Sequence, residues 1–373
     1  MRAAVADKKQ GLVEGRGYNF GAGPAMLPDE VILELREELL DYRGTRQSVM
    51  EMGHRTPMFE PIAADTEATL RSLMGIGEDY AVLFLQGGAA TQFGMVPVNL
   101  APAPDGKADY VVTGHWSNRA WQEGQKLCQA NLAADAKDSE YTDIPPVSSW
   151  KIRKDAAYLH YTVNETIGGV EFASVPKVDV PLAADMTSMI LSRPVDVSRF
   201  ALIYAAAQKN LGIAGLTVVI VRRDAMRAPA AGIPTMMDYR AHAEQHSMLN
   251  TPSVYPWYVC GKMLHWIKKE GGAEAMEKRN RRKADLLYKR VDKNGFYINK
   301  IRPAVRSIMN VPFNCAEKTL EPMFLAEAEK QGLLNLKGHR FAGGMRASMY
   351  NAMPEAGVQA LVDFMDDFER RHG

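Results

Sequence analysis

The architecture of this chain follows from residues 200–223, which read FALIYAAAQKNLGIAGLTVVIVRR. Residues 201–207 and 216–221 are apolar runs that are too short and too rich in valine and isoleucine for helices, so they predict two buried strands. Lys209 lies at the mouth of the first strand, among alanines and glycines that let backbone approach a ligand closely. We therefore expect Lys209 to lie where solvent is scarce.

Two interpretations of Lys209 are open. Burial disfavours the ammonium form, so the neutral amine that attacks a carbonyl becomes accessible. Alternatively, the side chain extends its charged head to water from the end of a core strand. The local stretch alone favours the second interpretation, and residues elsewhere in the chain reverse that preference.

The composition is that of an ordinary globular protein. The chain has 373 residues, 46% of them hydrophobic and 24% charged, which is enough for one large domain and a smaller one. A formal net charge of +1 gives no case for nucleic acid or a membrane surface as a partner. The three cysteines are widely spaced, which predicts no disulfide framework and a cytoplasmic location. Eight scattered histidines without an HExxH pair predict no metal site.

Several predicted strands alternate with helical patterns. Besides the two runs above, they are residues 80–85, 109–113, 157–161 and 180–185. This alternation predicts an α/β fold with a mostly parallel sheet and helices on both faces. Ligands gather beyond the carboxyl ends of the strands in such sheets, and Trp116, Thr166, Asp185 and Lys209 all fall there.

Residues 86–91, QGGAAT, join the strand at 80–85 directly to a helix. A glycine pair before a helix start with free N–H groups can cradle an anion. Many α/β proteins use the same turn for packing alone, so this segment by itself decides nothing. Together with the strand-end residues it matches what pyridoxal phosphate needs: Lys209 for the aldehyde, Asp185 for the ring nitrogen, Trp116 over the ring and this turn for the phosphate.

Several longer motifs are particular to one family. They are YNFGAGPAMLP (18–28), MGHR (52–55), GHW (114–116), NETIGGV (164–170), ILSRPVDVSRF (190–200), AAAQKN (205–210), NTP (250–252), KGHR (337–340) and GGMRASMYNAMP (343–354). The chain resembles the phosphoserine aminotransferases, of the class V branch of fold-type I pyridoxal-phosphate enzymes, over residues 18–373.

The resemblance implies a domain organisation. An N-terminal arm joining the small domain (18–28) would precede a large cofactor-binding domain (29–271). That domain would hold a mostly parallel seven-stranded sheet, and residues 272–373 would form a small α+β domain. Residues 1–17 lie outside the resemblance, and because they lack the apolar core of a secretory signal they are expected to be a disordered lead-in. The family's homodimers share active sites, so the monomer would be an incomplete catalyst.

The resemblance also assigns the cofactor site. Lys209 would form the Schiff base and shuttle protons, Asp185 would hold the ring nitrogen protonated, Trp116 would stack on the ring and Thr166 would bond the phenolic oxygen. The remaining residues would bind the cofactor phosphate: Ala89 and Ala90 by backbone, Thr187, Gln208, and Asn250 and Thr251 across the dimer.

Substrate recognition would use cationic residues. Arg55 and Arg346 would form bidentate pairs with carboxylates, and His54, His339 and Arg340 would meet the substrate phosphate. The alternative is that these are ordinary loop and surface residues. Many bacterial members carry an arginine where this chain has Ala90, so one charge-assisted contact worth ~1.5–3 kcal/mol is absent.

The resemblance predicts reversible amino transfer between glutamate and 3-phosphohydroxypyruvate, giving O-phosphoserine and 2-oxoglutarate. A phosphorylated four-carbon oxo acid of vitamin B6 synthesis is a possible second substrate. One alternative is a cysteine desulfurase-like lyase, which needs a mobile, reactive cysteine, whereas Cys128 and Cys260 fall in helical patterns and Cys315 follows a strand. The other is a non-catalytic dimer, against which the presence of both Lys209 and Asp185 argues.

Overall fold

The computed structural model describes residues 13–340 and 342–373. The predicted lead-in falls mostly on residues 1–12, outside the described residues. From Val13 the chain forms a turn, and both the Val13 backbone N–H and the Arg16 guanidinium contact the Asp29 carboxylate. The start of the described chain is thereby tied to the first turn of the first helix.

The strands and helices are numbered in chain order. The strands are β1 (Tyr18–Asn19), β2 (Tyr80–Gly87), β3 (Lys107–Val112), β4 (Gln129–Asp135), β5 (Tyr158–Thr162), β6 (Asn164–Glu165), β7 (Val170–Glu171), β8 (Leu182–Asp185), β9 (Phe200–Ala206), β10 (Gly215–Arg222), β11 (Tyr297–Ile298), β12 (Asn310–Cys315), β13 (Leu333–Leu334) and β14 (Met345–Ser348). The α-helices are α1 (Asp29–Glu38), α2 (Glu60–Met74), α3 (Ala89–Leu100), α4 (His115–Gly124), α5 (Tyr239–Glu244), α6 (Val254–Lys269), α7 (Gly272–Val291), α8 (Glu321–Lys330) and α9 (Glu355–His372).

A seven-stranded sheet forms the centre of the fold, in the order β2-β10-β9-β8-β5-β3-β4. All neighbours are parallel except β10, which runs antiparallel to both β2 and β9. The predicted α/β fold with a mostly parallel seven-stranded sheet is confirmed. Strand β4 was not predicted, because its QANLAAD sequence is only partly buried and lacks a strong apolar run.

Strand β9 shows why the central strands are apolar throughout. Its seven residues are all buried, and alternate side chains enter two separate hydrophobic cores on opposite faces of the sheet. Ile203 belongs to the larger core, while Leu202 and Tyr204 belong to the other. A strand covered on both faces reads as a continuous apolar run, which is how the sequence revealed it.

The last hundred residues form a second layer of structure around the sheet β11-β12-β14. Helices α7 and α9 pack on each other there. The first strand joins this part of the chain, because Tyr18 pairs with Leu333 in a parallel bridge. Gly271, at φ +100°, separates α6 from α7. The division into an arm at 18–28 and domains at 29–271 and 272–373 stays a prediction.

Two details of the sequence interpretation were wrong. Cys128 lies in the turn between α4 and β4 instead of a helix, and Cys315 is the last residue of β12 instead of following it. In helix α7, Lys283 lies within a basic run of the sequence but is fully buried. Within the described residues, no helix is long and apolar enough to cross a membrane.

Candidate active site

The carboxyl ends of the parallel strands meet at one edge of the central sheet. β5 ends at Thr162, directly beside Asp185 at the end of β8, and Asp185 in turn pairs with Tyr204 on β9. The antiparallel β10 begins at the same edge, with Gly215 opposite Gly87 at the end of β2. The loops that follow these strands carry the predicted site residues, so the topology gathers them as the alternation of strands and helices predicted.

Lys209 follows β9 and is buried, with 8% of its surface exposed. Its Nζ donates a hydrogen bond to Thr166 Oγ1 at 2.5 Å. Burial lowers the pKa of Lys209 to about 8, partly opposed by the nearby Asp185 and Glu165 carboxylates and reinforced by Arg346. This amine can therefore lose its proton within the physiological range, as a nucleophilic or basic lysine must.

Asp185 is buried at the end of β8, where its Oδ1 accepts a hydrogen bond from the Thr187 backbone N–H at 2.9 Å. Burial raises the pKa of Asp185, while the Thr187 hydrogen bonds, the charge of Lys209 and the Tyr204 hydroxyl oppose that rise. Tyr204 also contacts His160 Nε2 at 2.9 Å. Because burial lowers the pKa of His160 to about 3, that ring is neutral. Asp185 thus faces polar partners on the sheet side as well as the lysine.

Trp116 stands in the first turn of α4 and is half-buried. Its Nε1 atom is buried and has no hydrogen-bond partner. The His115 ring packs edge-on against the indole, with ring centroids 5.0 Å apart. A buried, unpaired indole N–H on a flat side chain is a feature that a bound aromatic ligand with polar substituents would satisfy.

The glycine turn after β2 has the geometry of an anion cradle. Gly87 has φ +109°, a conformation that favours glycine. Gly88 is the N-cap of α3 and offers no side chain, so the N–H groups at Ala89 and Ala90 receive no side-chain cap. A side chain at position 88 would meet no neighbouring atom within 4 Å, so the space before the helix is open. The start of this helix can therefore accept an anion.

Thr187 and Gln208 lie at the same edge of the sheet. Thr187 is buried, and its Oγ1 accepts a hydrogen bond from the Ala206 backbone N–H at 3.3 Å. Gln208 is half-buried, and its carbonyl oxygen accepts from the Ala25 backbone N–H at 2.8 Å. This second bond holds the N-terminal arm against the segment that carries the lysine.

These residues fit pyridoxal phosphate. They supply a buried lysine of lowered pKa, a buried acid, a half-buried aromatic ring with an unpaired N–H, and an uncapped helix start. That set matches the aldehyde, ring nitrogen, ring face and phosphate of the cofactor. Among the described residues there is no group of three or more histidine, cysteine or acidic side chains that could hold a metal ion.

Arg346 on β14 comes to the same place from the C-terminal part of the chain. It is 8% exposed, its Nη1 donates to the Thr166 carbonyl at 3.4 Å, and its Nε is buried without a partner. Burial lowers the pKa of Arg346. Thr166 therefore links Lys209 and Arg346, which puts a cationic group with unused hydrogen-bonding capacity next to the lysine.

His339 and Arg340 lie in the loop that precedes β14, the strand that carries Arg346. The His339 ring is 6.1 Å from that of His115, which sequence reasoning quoted in a motif but gave no role. Burial lowers the pKa of His115 and of His339, and the neighbouring Arg340 lowers both further. Arg340 itself is exposed. This cluster of cationic and titratable groups suits an anionic substrate.

The structure does not bring the remaining predicted residues to the lysine within one chain. Among the described contacts, no hydrogen bond, ion pair or ring contact joins His54 or Arg55 to Lys209, Asp185 or Arg346. His54 is half-buried and Arg55 is exposed.

Asn250 and Thr251 are also exposed. The Thr251 carbonyl accepts a hydrogen bond from the Gln86 side chain. Asn250 and Thr91 both line a cleft of about 240 Å³ beside the glycine turn. Asn250 and Thr251 therefore lie near the end of β2.

None of the cysteines has the environment of a reactive thiol. Burial raises the pKa of Cys128 to about 11, and those of Cys260 and Cys315 to about 12. A nucleophilic cysteine needs a lowered pKa so that the thiolate forms at neutral pH. The lyase alternative, which requires such a cysteine, therefore finds no support in the geometry.

The family described as "Aminotransferase class-V" matches residues 17–361, nearly the whole chain. The solved structure of the alanine–glyoxylate aminotransferase from a Nostoc species shares the fold, with 15% identity over 97% of this chain and 98% of its own and a TM-score of 0.74. The match and the buried lysine together define a pyridoxal-phosphate-dependent transaminase of class V.

More similar proteins are known. The phosphoserine aminotransferase of Pseudomonas aeruginosa is 54% identical over 96% of this chain and 99% of its own length. The structure of the Bacillus circulans phosphoserine aminotransferase is 43% identical, covers 96% of this chain and 99% of its own, and has a TM-score of 0.93. That from Trichomonas vaginalis, solved with pyridoxal phosphate bound, is 36% identical over 94% of this chain and 100% of its own, with a TM-score of 0.88. The chain therefore belongs to the phosphoserine aminotransferases.

Proposed function

We propose that this chain reversibly transfers an amino group between glutamate and 3-phosphohydroxypyruvate, giving O-phosphoserine and 2-oxoglutarate, a step of serine biosynthesis. The observation that carries the proposal is Lys209, buried beside Asp185 with a pKa lowered to about 8, in a chain that belongs to this family. A lysine with these neighbours can hold an aldehyde cofactor and move a proton.

Pyridoxal phosphate, when bound, supplies an electron sink that acidifies the α-carbon of an amino acid. We assign Lys209 to its aldehyde, Asp185 to its ring nitrogen, Trp116 to its ring face and Thr166 to its phenolic oxygen. Asp185 is suited to hold a proton on the ring nitrogen, because Thr187 and Lys209 stabilise its carboxylate in a buried place. Trp116 would exclude water from one face of the site.

Lys209 is also the base in this proposal. When the amine is neutral, its Nζ would accept the proton from the α-carbon of the amino donor. It would later return a proton to the α-carbon of the oxo acid that receives the amino group. Thr166 Oγ1 keeps Nζ oriented through the hydrogen bond at 2.5 Å. The pKa near 8 matches this double role, since base and conjugate acid are then both accessible near neutral pH.

The cofactor phosphate would be held mainly by backbone. We assign it to the N–H groups of Ala89 and Ala90 at the start of α3, with Thr187 and Gln208 beside them. Because Ala90 brings no charged side chain, this grip depends more on the helix start than it does in relatives with an arginine there. Asn250 and Thr251 of the partner subunit would complete it.

The substrate's anionic groups would be bound by the cationic residues around the cleft. Arg346, with a buried and unpaired Nε, is suited to a carboxylate. We assign the substrate phosphate to His339 and Arg340. Burial and the charges of Arg346 and Arg340 lower the pKa of His339. A bound dianion would oppose this shift and favour the protonated imidazole. The second carboxylate of glutamate would use the same groups.

We further propose a cytoplasmic homodimer with shared sites. Arg55, Asn250 and Thr251 are exposed in the single chain, and no described contact brings His54 or Arg55 to the lysine. A second copy that presents these residues would complete each site. The three free thiols agree with a reducing compartment.

The dimer proposal has a direct test. Two inactive variants, Lys209→Ala and Arg55→Ala, are mixed under conditions that let subunits exchange. If Arg55 serves the partner's site, half of the dimers are mixed and each has one intact site, so activity returns to about a quarter of wild type. No recovery in a mixture that demonstrably exchanges subunits would contradict the shared site.

The reaction itself is tested by half-reactions of the purified enzyme with single amino donors. Phosphoserine and glutamate should each change the cofactor absorption completely, whereas aspartate should leave it nearly unchanged. A faster response to aspartate than to phosphoserine would overturn the substrate assignment. The phosphorylated four-carbon amino acid of vitamin B6 synthesis, run alongside, tests the second substrate that we propose.

A further inference from the structure

Glu165 is a buried carboxylate next to the site, and the roles assigned above do not use it. It lies on β6, immediately before Thr166, and has 0% of its surface exposed. Buried carboxylates need hydrogen-bond donors or opposite charges around them. The atoms that surround Glu165 therefore indicate what it does.

Its donors all belong to the first turn of α4. The Trp116 backbone N–H donates to Oε2 at 3.0 Å, and the Ser117 backbone N–H donates to Oε1 at 2.8 Å. The Ser117 hydroxyl donates to the same Oε1 at 2.6 Å. These are N–H groups that a helix leaves unpaired at its start, so Glu165 acts as the capping group of α4 from about fifty residues away.

The N-cap residue explains why a distant side chain is needed. Gly114 is at that position and has no side chain with which to cap the helix. A Cβ at Gly114 would lie 2.6 Å from Glu165 Cδ, so the carboxyl group fills the space that a capping side chain would occupy. Glycine at 114 and glutamate at 165 therefore form a complementary pair.

The same segment also holds the lysine's partner. Thr166, the next residue, accepts the hydrogen bond from Lys209 Nζ. The Glu165 carbonyl accepts from the Gly169 N–H at 2.7 Å, which closes the short hairpin of β6 and β7. Glu165 therefore joins Trp116, through its carboxylate, to Thr166, which is the next residue in the chain.

Glu165 also contributes to the charge balance of the buried residues around Lys209. Two carboxylates, Glu165 and Asp185, face two cations, Lys209 and Arg346, so the buried cluster is balanced. The Glu165 carboxylate favours the charged form of Lys209, and it also interacts electrostatically with Asp185 and Tyr141. Removing the carboxylate would leave an excess of buried positive charge.

We propose that Glu165 is a positioning residue that fixes the separation between Trp116 and Thr166, and hence the slot for the cofactor ring. This inference rests on the proposed assignment of those two residues to the cofactor. It identifies a carboxylate that never contacts the ring yet sets the width of the ring's binding place.

The test is Glu165→Gln in the full-length protein labelled with fluorotryptophan. The amide of glutamine has one acceptor oxygen, and its NH2 group would face a backbone donor that the carboxylate accepts from. The fluorine resonance of Trp116, identified by its loss in Trp116→Phe, should shift and broaden in cofactor-free protein. Pyridoxal phosphate should bind on the order of ten-fold more weakly.

The matched control is Glu171→Gln. Glu171 is an equally buried glutamate on β7 of the same hairpin, but its partners are Arg193 at 2.6 Å and the Ile308 backbone N–H at 2.8 Å. The Glu171→Gln variant should have a lower free energy of unfolding than wild type and an unchanged Trp116 resonance. If Glu165→Gln folds poorly, Ser117→Ala keeps the carboxylate, removes its shortest contact and should change both signals in the same direction by less.

A Trp116 resonance that is unchanged in Glu165→Gln, or changed equally in Glu171→Gln, would overturn the positioning role. So would a changed resonance with wild-type cofactor affinity. Wild-type protein that fails to bind pyridoxal phosphate would instead refute the proposed function, while the fluorine measurement still reports on α4.

Discussion

Among the residues that the structure describes, Lys209 and Lys283 are the buried lysines, and they differ in what their amines contact. Lys283, on α7, donates to the backbone carbonyls of Met349, Tyr350 and Met353 at 3.0, 2.8 and 3.1 Å. Lys209, after β9, has a single described hydrogen bond, to the Thr166 hydroxyl. Burial lowers the pKa of both amines.

The comparison shows that burial does not by itself make a lysine reactive. Three backbone carbonyls accept all three N–H donors of the Lys283 ammonium group. Lys283 therefore joins α7 to the segment after β14. Lys209 faces a hydroxyl and two carboxylates, and it keeps hydrogen-bonding capacity for a ligand. Its partners, rather than its burial, distinguish the catalytic amine from the structural one.

Removing the amine of Lys209 should have the largest effect. In Lys209→Ala, turnover should fall by roughly 10⁴-fold or more, because both the covalent anchor and the base are lost. Circular dichroism and sedimentation should show an intact fold and assembly. Turnover at the wild-type rate would refute the role of Lys209.

Removing the amine of Lys283 should act on stability instead. Lys283→Met leaves three buried carbonyls without a hydrogen-bond donor and should lower the free energy of unfolding by about 3 kcal/mol. At temperatures where the variant is folded, kcat should equal that of wild type. Urea unfolding and steady-state assays measure the two effects, and a large loss of kcat in the folded variant would remove the distinction between the two lysines.

The pKa of Lys209 should be visible in the pH dependence of cofactor uptake. Only the neutral amine attacks the aldehyde, so the rate of uptake by cofactor-free protein should rise with pH and have its midpoint near 8. Asp185→Asn removes a charge that favours the ammonium form and should move the midpoint down by about one unit. Stopped-flow absorbance measures both, and a midpoint near 10.5, the ordinary value, would contradict the burial of this amine.

The lowered pKa of Lys209 also makes the free energy of unfolding depend on pH. Between pH 8 and 10.5 the unfolded chain keeps a proton that the folded chain has released, so the free energy of unfolding rises with pH over this interval. Lys209→Ala, which lacks the group, serves as the reference and should show a smaller rise, to which the buried Lys283 still contributes.

The smallest effect is expected for the hydroxyl that Lys209 contacts. Thr166→Val removes an acceptor worth about 1 kcal/mol to the ammonium form, so the uptake midpoint should fall by about 0.7 unit. Thr166→Ser keeps the hydroxyl and should behave as wild type. A midpoint in the valine variant that equals that of the serine variant would show that this hydrogen bond does not set the pKa.

Much of the site could be predicted because strand ends are marked locally. Lys209 and Asp185 each follow a buried apolar run, and parallel strands bring their carboxyl ends to one edge. Strand β4 and the hairpin of β6 and β7 were missed, since neither has a long apolar or alternating pattern. Glu165 was quoted in a motif but given no role, because its donors lie about fifty residues away.

The sequence by itself determined the α/β class with its mostly parallel sheet, the lysine and the acid at strand ends, and the family. These depend on local hydrophobic periodicity and on motifs, which a linear chain carries in full. Only the tertiary structure decided which of the described buried lysines keeps hydrogen-bonding capacity, and that Glu165 caps α4. Hydrogen-bond partners and desolvation depend on atoms that are distant in sequence, so they are fixed only when the chain has packed.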